Sequence, residues 1–324
     1  MKKISILVAE SSIIQSIADP QFLFTELNKH LISLDKHPQF KVELVGAKRN
    51  IRVQDGKYSI HTDKLLTEVS KTDLVIIPSL YGDLSSALKK NRILIPWIQN
   101  QYKKGAEVAS LCVGAFLLAS TGLLHGKKCS THWNKQNQLR SQFPDVEVVD
   151  CGVITEENRI YSSGGGNTYW NLLLHLVEKY TDRQTAILAA KYFVIDIDRI
   201  SQSAYALFQG QKEHTDPPVR EIQDYIEKNV DKKVSVQELA NRVSIGRRSF
   251  ERRFKQATKN TVQEYIHRVK IEAAKRNFEN SQKNINEVML GIGYTDAKAF
   301  RLTFKKVTGL SPAEYRTKYN KMAI

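Results

Sequence analysis

The last third of this 324-residue chain repeats itself at an offset of 50 positions. Residues 249–258 read SFERRFKQAT and residues 299–308 read AFRLTFKKVT, so that both Phe, the Lys and the final Thr are identical. Further matches join 264–265 to 314–315 at the same offset and, one residue out of step, 236–239 to 285–288. Self-similarity over a whole supersecondary unit predicts a duplicated structure.

Each copy is predicted to form a short helix, a tight turn and a longer helix. In the first copy, Ser235 can cap a helix with Glu238 at the capping-box position, and Gly246 marks the turn. The second helices carry apolar residues at the spacing of one helix face, namely Phe250, Phe254 and Ala257, then Phe300, Phe304 and Val307. The second turn falls in residues 291–296. A Gly-containing turn between two short helices is the helix-turn-helix pattern.

Positive charge is concentrated in the same part of the chain. Residues 217–324 contain 23 Lys and Arg against 12 Asp and Glu, a net charge of +11 out of +15 for the whole chain. A basic helix that faces a duplex gains affinity by displacing counterions from phosphates. A basic face alone is more typical of a solvated surface. Together with two helix-turn-helix repeats, however, this charge favours binding to double-stranded DNA.

Residues 217–320 resemble the AraC-type regulator family. The resemblance is carried by Gly291-Ile292-Gly293-Tyr294, Phe300-Arg301, Phe304-Lys305-Lys306, Thr308-Gly309-Leu310-Ser311-Pro312 and Tyr315-Arg316. It implies two helix-turn-helix units joined by a linker helix at about Val262–Phe278. Four residues of that helix would pack against both units: Ile266, Val269, Ile271 and Ala274. Recognition helices at about Arg247–Thr258 and Asp296–Thr308 would enter successive major grooves on one face of the DNA.

The resemblance also assigns DNA contacts. Base contacts are expected from Arg248, Glu251 and Arg252 in the first helix and from Ala297, Lys298 and Arg301 in the second. Arg can bind guanine O6 and N7 together, and Glu can accept from cytosine N4. Leu302 departs from the family pattern, in which Arg is common, and predicts fewer hydrogen bonds to bases from the second unit. Phosphate contacts, which position the protein without specifying sequence, are expected from Arg247, Arg253, Lys255, Lys305 and Lys306.

The first two thirds of the chain alternate strand and helix signals. Strands are predicted at 4–8, 42–45, 74–78 and 107–111, and helices at 22–34 and 115–121. This alternation predicts an α/β domain with a parallel sheet and helices on both faces. The polar stretch 209–218, which ends in Pro-Pro, is the predicted linker between this domain (1–208) and an all-α C-terminal domain (219–324).

In the first domain, Cys112 is the residue that could have a reactive side chain. It lies where a strand gives way to a helix, and a helix N-terminus favours the thiolate. The alternative is a small buried residue that fits the turn, and position alone does not decide between them. Three Cys in a chain of this size imply no disulfide framework.

The first domain resembles the DJ-1/PfpI superfamily, in the branch fused to AraC-type domains (GlxA-like regulators), and a flavodoxin-like fold is implied. The resemblance rests on residues 112–119, 122–124, 131–133, 162–166, 171–180 and 201–210. Enzymes of that superfamily pair the Cys with a carboxylic acid from just after the first strand. Alignment places Ser16 at the acid position, so the pair looks broken. His132 is a candidate partner, but a His beside Trp133 is more often structural.

Catalysis is therefore not expected, although two alternatives stay open: a Cys112-dependent hydrolase or hydratase, and a Cys112 redox sensor. A small effector is expected instead at the carboxyl ends of the strands, where open α/β sheets bind ligands. The candidate wall residues are Cys112, Ser79, Tyr81, His132 and Gly164. No metal or cofactor is expected.

The remaining expectations concern partners and location. A homodimer would raise avidity for DNA, and RNA polymerase is a further candidate partner. No apolar stretch reaches membrane-spanning length, and the apolar run after Met1-Lys2-Lys3 ends too early for a signal peptide. We therefore expect a cytoplasmic protein with no membrane partner.

Overall fold

The computed structural model describes residues 1–197, 199, 201–212 and 214–320. The chain divides into two compact units, Met1–Gln202 and Ser203–Ile324. Each unit has hydrophobic cores of its own, one in the first unit and two in the second.

The first unit contains eleven strands among the residues described. They are β1 (Lys2–Leu7), β2 (Phe40–Gly46), β3 (Asn50–Val53), β4 (Tyr58–His61), β5 (Lys64–Leu65), β6 (Leu74–Ile77), β7 (Glu107–Ser110), β8 (Lys128–Cys129), β9 (Glu147–Val148), β10 (Ile154–Glu157) and β11 (Ile160–Ser163). Seven form the central sheet in the order β10-β11-β7-β6-β1-β2-β5, while β3 pairs with β4 and β8 with β9. The strands β6 and β7 are buried along their whole length, as expected of strands covered on both faces.

The central sheet is parallel except at one edge, where the prediction of a parallel sheet needs correction. β10 runs antiparallel to its neighbour β11. The two strands are joined by only two residues, Asn158 and Arg159, which both have positive φ (49° and 65°). A two-residue hairpin can join only antiparallel strands, because a parallel pair needs a crossover of a dozen residues or more.

Seven α-helices pack around the strands in the described part of the first unit. They are α1 (Gln15–Ser33), α2 (Leu84–Lys90), α3 (Leu94–Lys103), α4 (Ala115–Ser120), α5 (Gln136–Gln142), α6 (Tyr169–Tyr180) and α7 (Arg183–Tyr192). The helix α1 begins seven residues before its predicted start at 22 and contains Pro20. Proline argues against a helix interior, which is why the sequence pattern hid this first turn.

The second unit is all-α among the residues described. Its helices are α8 (Pro217–Lys228), α9 (Val236–Arg242), α10 (Arg247–Thr258), α11 (Val262–Asn280), α12 (Ile285–Gly291), α13 (Ala297–Thr308) and α14 (Pro312–Tyr319). The predicted recognition helices correspond to α10 and α13, and the predicted linker helix to α11. The capping box of Ser235 and Glu238 is confirmed, with the Ser235 N–H donating to the Glu238 carboxylate at 2.7 Å.

The repeat is visible in the second unit at atomic detail. The hydroxyls of Thr258 and Thr308 each donate to the carbonyl four residues earlier at 2.8 Å, which explains why this Thr recurs. The turn before α10 has four residues and the turn before α13 has five. That single insertion accounts for the shift of the upstream match by one position.

The helix α11 joins two separate cores. Ile266 and Val269 pack with the first helix-turn-helix, whereas Ile271, Ala274 and Phe278 pack with the second. The prediction that this helix packs against both units is confirmed. Phe250 and Phe254 in one core, and Phe300 and Phe304 in the other, are fully buried with ring centroids 5.7 Å apart in each pair.

The stretch 209–218, predicted as a linker, lies within the second unit and contacts it. The Asn260 amide donates to the Gln211 side chain at 3.0 Å, and Lys212 forms ion pairs of 2.8 Å with Asp224 and Glu227. Asp216 caps α8, which begins at Pro217. Proline is favoured in a first helical turn, which gives the Pro-Pro pair a helical role rather than a linker role.

Candidate DNA-binding faces and candidate ligand site

The helix α10 presents one polar face built at helical spacing. Arg248, Arg252 and Lys255 are exposed on it, and Glu251 is half-buried among them. Arg247 lies 3.5 Å from the Glu251 carboxylate in an (i, i+4) pair. The side chains at positions i, i+3, i+4 and i+7 share one helix face, so the three predicted base-contacting residues of this helix lie together.

The helix α13 presents the corresponding face 50 positions later. Lys298, Arg301 and Lys305 are exposed on it, as is Lys306 beside them. Leu302, the counterpart of Arg252, has 62% of its surface exposed. A large apolar side chain so open to solvent on an otherwise basic face is the clearest difference between the two copies.

Most cations of the two faces have no protein carboxylate to neutralise them. Within the described part of the chain, no ion pair involves Arg248, Arg252, Lys255, Lys298, Arg301, Lys305 or Lys306. Unpaired cations on an exposed helix face are available to phosphates and base edges.

Arg253 is placed differently from the other predicted phosphate contacts. Its Nε and Nη2 donate to the two carboxylate oxygens of Asp216, each at 2.9 Å. This bidentate bond fastens α10 to the residue that caps α8 and holds the pKa of Asp216 below its usual value. Arg253 therefore has a bond within the fold, although its side chain is still 38% exposed, and its predicted phosphate contact stays a prediction.

In the first unit, Cys112 forms a sharp turn between β7 and α4. Its φ is +55°, a left-handed conformation that non-glycine residues seldom adopt. Gly114 allows the turn to pass close to β6, because a Cβ there would lie 2.5 Å from the Pro78 carbonyl oxygen. Strain of this kind persists only where the surrounding structure imposes it and is frequent at functional sites.

The Cys112 thiol is nevertheless held in its neutral form. Burial is the main cause and raises the pKa of Cys112 above its usual value, while the nearby Ser79 side chain and the Gly166 and Val113 backbones oppose it. The thiol is 5% exposed. Of the two interpretations of Cys112, the buried neutral residue agrees better with this environment.

No carboxylate acts on the thiol from the predicted acid position. The Ser16 hydroxyl donates to the Ile13 carbonyl at 2.6 Å and accepts from the Ser79 N–H at 2.9 Å. Asp19, one turn further along α1, accepts from the Tyr169 hydroxyl at 2.5 Å and from the Trp170 indole at 3.1 Å. Its carboxylate therefore organises aromatic side chains rather than Cys112.

His132 lies near the site but is directed at the backbone. A Cβ on Gly165 would lie 2.0 Å from the His132 ring, so only glycine fits there. Burial is the main cause that lowers the pKa of His132, which keeps the ring neutral at pH 7. Among the described residues no hydrogen bond joins His132 to Cys112; the link is indirect, through the Thr131 hydroxyl, which donates to the Cys112 carbonyl at 2.9 Å.

Gln202 fills the space beside Gly164, a predicted wall residue. Its side-chain oxygen accepts from the Gly165 N–H at 2.7 Å, and its Nε2 donates to the carbonyls of Thr131 and Gly152 at 3.0 and 2.8 Å. A Cβ on Gly164 would lie 2.4 Å from this amide nitrogen. The chain thus closes one side of the candidate site with its own carboxamide.

The two other predicted wall residues, Ser79 and Tyr81, differ in their exposure to solvent. Ser79 is buried beside Cys112, and its hydroxyl oxygen has no hydrogen-bond partner of regular geometry among the described residues. Tyr81 lies on the loop that follows and is 45% exposed, at the rim. A distinct groove of about 330 Å³ lies elsewhere on the first unit, between α1 and α7, and is lined by Leu27, His30, Leu188, Tyr192 and Phe193 among others.

Comparison with known proteins agrees with this two-part architecture. The DJ-1/PfpI family matches residues 20–179, and a helix-turn-helix domain family matches residues 239–318. The HTH-type transcriptional regulator GbdR of Pseudomonas aeruginosa is 24% identical over 269 residues, which cover 83% of this chain and 72% of that protein. The chain joins a DJ-1/PfpI domain to an AraC-type helix-turn-helix domain.

Solved structures support the fold of the DJ-1/PfpI domain. A putative transcriptional regulator from Vibrio parahaemolyticus superposes with a TM-score of 0.53 at 20% identity, over 59% of this chain and 98% of that one. An AraC family transcriptional regulator from Pseudomonas putida gives a TM-score of 0.51 at 17% identity, over 60% and 100% respectively.

Sequence reasoning missed the residues that hold these sites together. Gln202 lies in the junction on which the DJ-1/PfpI resemblance partly rests, but its partner Thr131 is 71 positions away. Asp19 likewise bonds to Tyr169 and Trp170, which lie about 150 positions away. A polar residue in an apolar stretch of sequence can indicate a buried hydrogen bond, but the sequence does not identify the bonding partner.

Within the described residues, the structure contains no disulfide, no metal-binding cluster and no membrane-spanning helix. The three cysteines, all in the described part of the chain, form no disulfide. No group of three or more His, Cys, Asp or Glu side chains is arranged to hold a metal ion within those residues. In the same part of the chain, no helix combines the length and the apolar composition needed to span a bilayer.

Proposed function

We propose that this protein is a transcription regulator that binds double-stranded DNA in a sequence-specific manner through α10 and α13. The carrying observation is the pair of exposed faces at offset 50, Arg248, Glu251, Arg252 and Lys255 on one helix and Lys298, Arg301, Leu302 and Lys305 on the other. Each face is presented by a helix whose opposite side is anchored in its own core. Such a helix fits the major groove of B-form DNA.

The two helices are proposed to contribute unequally. The first presents two Arg and a Glu, groups that discriminate guanine and cytosine through paired hydrogen bonds. The second presents Lys298 and Arg301, while Leu302 offers only apolar contact, for example with a thymine methyl group. We therefore expect an asymmetric site with one half strongly specified and the other weakly specified.

Selection from a pool of randomised duplexes tests this function. The purified full-length protein is expected to enrich one asymmetric sequence with two parts about one helical turn apart. Occupancy across the genome of the source organism should then centre on the same sequence. If the protein enriches no sequence more strongly than a basic protein of equal charge does, the proposal of sequence-specific binding is wrong.

The DJ-1/PfpI domain is proposed to bind a small polar effector beside Cys112. The supporting observation is the Ser79 hydroxyl, which is 2% exposed and has no regular hydrogen-bond partner among the described residues. A buried polar atom left in this state costs free energy that a ligand can recover. A panel of small metabolites should include one that raises the melting temperature of the protein and of a Tyr58→Ala control, but not of Ser79→Ala.

Catalysis is not part of the proposed function. A Cys nucleophile needs its thiolate, but burial raises the pKa of the Cys112 thiol and Ser16 replaces the acid expected from the superfamily. The hydrolase, hydratase and redox-sensor alternatives each require a reactive Cys112. Turnover or peroxide-dependent DNA binding that disappears in Cys112→Ala would restore them.

Dimerisation is proposed to use the face formed by α1 and α7. Large apolar side chains are exposed on or beside it: Phe22, Ile32, Leu34, Ile187, Tyr192 and Val194, of which Val194 is 89% exposed. A cluster of this kind on a protein surface marks an interaction site, and a second copy would double the DNA footprint. Tyr192→Asp is expected to shift sedimentation from dimer to monomer, whereas Tyr58→Asp, on the β4 hairpin, should leave it unchanged.

The proposed function includes a cellular location and a protein partner. A regulator that binds chromosomal DNA acts in the cytoplasm of a bacterial cell, and RNA polymerase is the natural partner of one bound near a promoter.

A further inference from the structure

The spacing between the two recognition helices depends on few residues. The helices α10 and α13 belong to separate cores, and both cores rest on the 19-residue helix α11. At 1.5 Å per residue α11 is about 28 Å long, compared with about 34 Å for one turn of DNA. Two cores that share only a helix could rotate relative to each other unless something else joins them.

Two connections of this kind are present among the described residues. The segment 204–208 makes one, since its Ala204 carbonyl accepts from Tyr319 of the second core and its Phe208 packs in the first.

Lys270, near the middle of α11, makes the other. Its ammonium donates to the carbonyls of Val230 and Lys232 at 2.7 and 3.0 Å, in the loop between α8 and α9. It also donates to the carbonyl of Ile292 at 2.7 Å, in the turn before α13. The three donors of one ammonium group thus join the first helix-turn-helix to the second.

The cost of this arrangement argues for a specific role. Lys270 is 7% exposed, and no carboxylate forms an ion pair with it among the described residues. Burying a charge that has no ion-pair partner is unfavourable. Burial is the main cause that lowers the pKa of Lys270, and the Asp231 carboxylate, in the loop that Lys270 binds, opposes it only in part. An apolar residue would fill this position at lower cost if only packing were required, but it could not bind three carbonyls.

The repeat itself provides an internal comparison at the contact. Ser244 in the first turn and Gly293 in the second occupy matching positions and have similar φ of +53° and +73°. The first copy tolerates a side chain in this conformation, so the conformation alone does not require glycine. A Cβ on Gly293 would lie 2.1 Å from the Asp231 carbonyl oxygen, in the loop bound by Lys270. Glycine is needed there because the two helix-turn-helix units touch.

We propose that Lys270, with Gly293 against Asp231, sets the spacing and rotation of the two recognition helices and so determines which separation of half-sites the protein accepts. This inference rests on the proposed function, since it concerns the same tandem DNA site. Lys270 acts as a positioning residue, because it contacts no face assigned to DNA. One inserted base pair moves a half-site by 3.4 Å and rotates it by about a tenth of a turn, which a rigid pair cannot follow.

The experiment measures tolerance to spacing rather than affinity alone. The duplex selected by the wild-type protein is compared with the same duplex carrying one base pair inserted or deleted between its half-sites. Wild-type binding should weaken about ten-fold or more on either change, because base contacts of one half-site are lost. In Lys270→Met, we expect weaker binding to the parent duplex and a penalty for altered spacing of about three-fold or less.

Lys275→Met is the matched control. Lys275 is also a buried lysine of α11, but it binds Glu272 at 2.7 Å and the Ala206 carbonyl at 2.6 Å, and neither the loop nor the turn that Lys270 binds. It should destabilise the protein without changing the penalty for altered spacing. Gly293→Ala changes the same contact at the second helix-turn-helix, and we expect it to change the preferred spacing of half-sites. It provides a separate test if Lys270→Met does not fold.

The outcomes separate the two proposals. If the wild-type protein selects no sequence, the proposed function fails. If it selects a tandem site, but Lys270→Met or Gly293→Ala keeps the wild-type spacing penalty, the function stands and the role of Lys270 is refuted. An equal loss of spacing preference in Lys275→Met would also refute it, because general loosening would then be the cause.

Discussion

Two neighbouring arginines on α10 have different structural roles. Arg252 is exposed among the predicted base-contacting residues, whereas Arg253, one position on, binds Asp216 within the fold. Successive residues on a helix point about 100° apart, so one side of α10 faces solvent while the next faces α8. The AraC-type resemblance assigned Arg252 to a base contact and Arg253 to a phosphate contact, but it did not indicate that Arg253 binds a partner 37 positions away.

Arg252→Ala is expected to weaken binding to the selected duplex and to relax base preference at one position. Loss of a bidentate contact to guanine costs about 1–3 kcal/mol. Competition assays with duplexes substituted at each position would measure both effects. If affinity and preference stay at wild-type values, Arg252 does not contact a base.

Arg253→Ala should instead reduce stability in a pH-dependent manner. The pKa of Asp216 is held low chiefly by its hydrogen bond with Arg253, so this bond stabilises the fold above the usual Asp pKa of about 3.9 and is lost as the pH falls through the lower folded value. We expect a loss of about 1 kcal/mol at pH 7 by denaturant unfolding, and a smaller difference at pH 3. A loss that is the same at both pH values would contradict this account.

Cys112 should react slowly in the folded protein. Because burial raises the pKa of its thiol, the reactive thiolate is scarce at pH 7.5 and rises only in alkaline solution or on unfolding. Iodoacetamide labelling followed by mass spectrometry should find Cys112 labelled at least about ten-fold more slowly in native than in denatured protein. Fast native labelling would instead support the redox-sensor alternative.

At the scale of elements, the repeat extends to the helix ends. The helices α10 and α13 both end in a residue of left-handed conformation, Lys259 with φ +58° and Gly309 with φ +77°. Glycine adopts this conformation without steric cost, whereas a lysine does so at about 1 kcal/mol. The second copy therefore has the more favourable helix end.

Lys259→Gly is expected to raise the free energy of unfolding by up to about 1 kcal/mol, and Gly309→Lys to lower it by a similar amount. Thermal unfolding of both variants measures the effect. Lys259 lies outside the predicted base and phosphate contacts, so DNA binding at equal folded fraction should change little. A decrease in stability for Lys259→Gly would show that its side chain makes a compensating contact.

The elements differ in how far the sequence predicts them. The bounds of the recognition helices, implied by the AraC-type resemblance, agree with α10 and α13 to within one residue. The apolar spacing and the repeat predicted that two such helices exist. The antiparallel edge strand β10 and the early start of α1 were not predicted. The first depends on a hairpin whose residues, Asn158 and Arg159, are not the usual glycine, and the second on a helix that tolerates Pro20.

The candidate sites were predicted less completely than the elements, for a physical reason. The exposed residues of α10 and α13 follow from local periodicity, and the structure brings them onto common faces. The anchoring residues Gln202 and Lys270 bind carbonyls that are 71 and 40 positions away. Such bonds depend on the tertiary path of the backbone, which a single sequence does not reveal.

At the scale of the whole molecule, charge is divided unevenly between the two parts of the chain. Residues 217–324 hold a net charge of +11, and residues 1–216 hold the remaining +4. Electrostatic affinity for DNA should therefore come mainly from the AraC-type domain and should decrease steeply with salt. The DJ-1/PfpI domain contributes little to that term, which suits a role in effector binding and dimerisation.

Lys305→Ala tests this division. Lys305 is exposed beside the predicted base contacts of α13, and we expect it to contact a phosphate. Its loss should weaken binding to selected and unrelated duplexes by the same factor and reduce the salt slope by about 1. Lys57→Ala is the matched control, because it removes the same charge from an exposed position in the first unit. If both variants reduce the salt slope equally, net charge rather than a phosphate contact of α13 is responsible. If only Lys305→Ala changes base preference, Lys305 contacts a base instead.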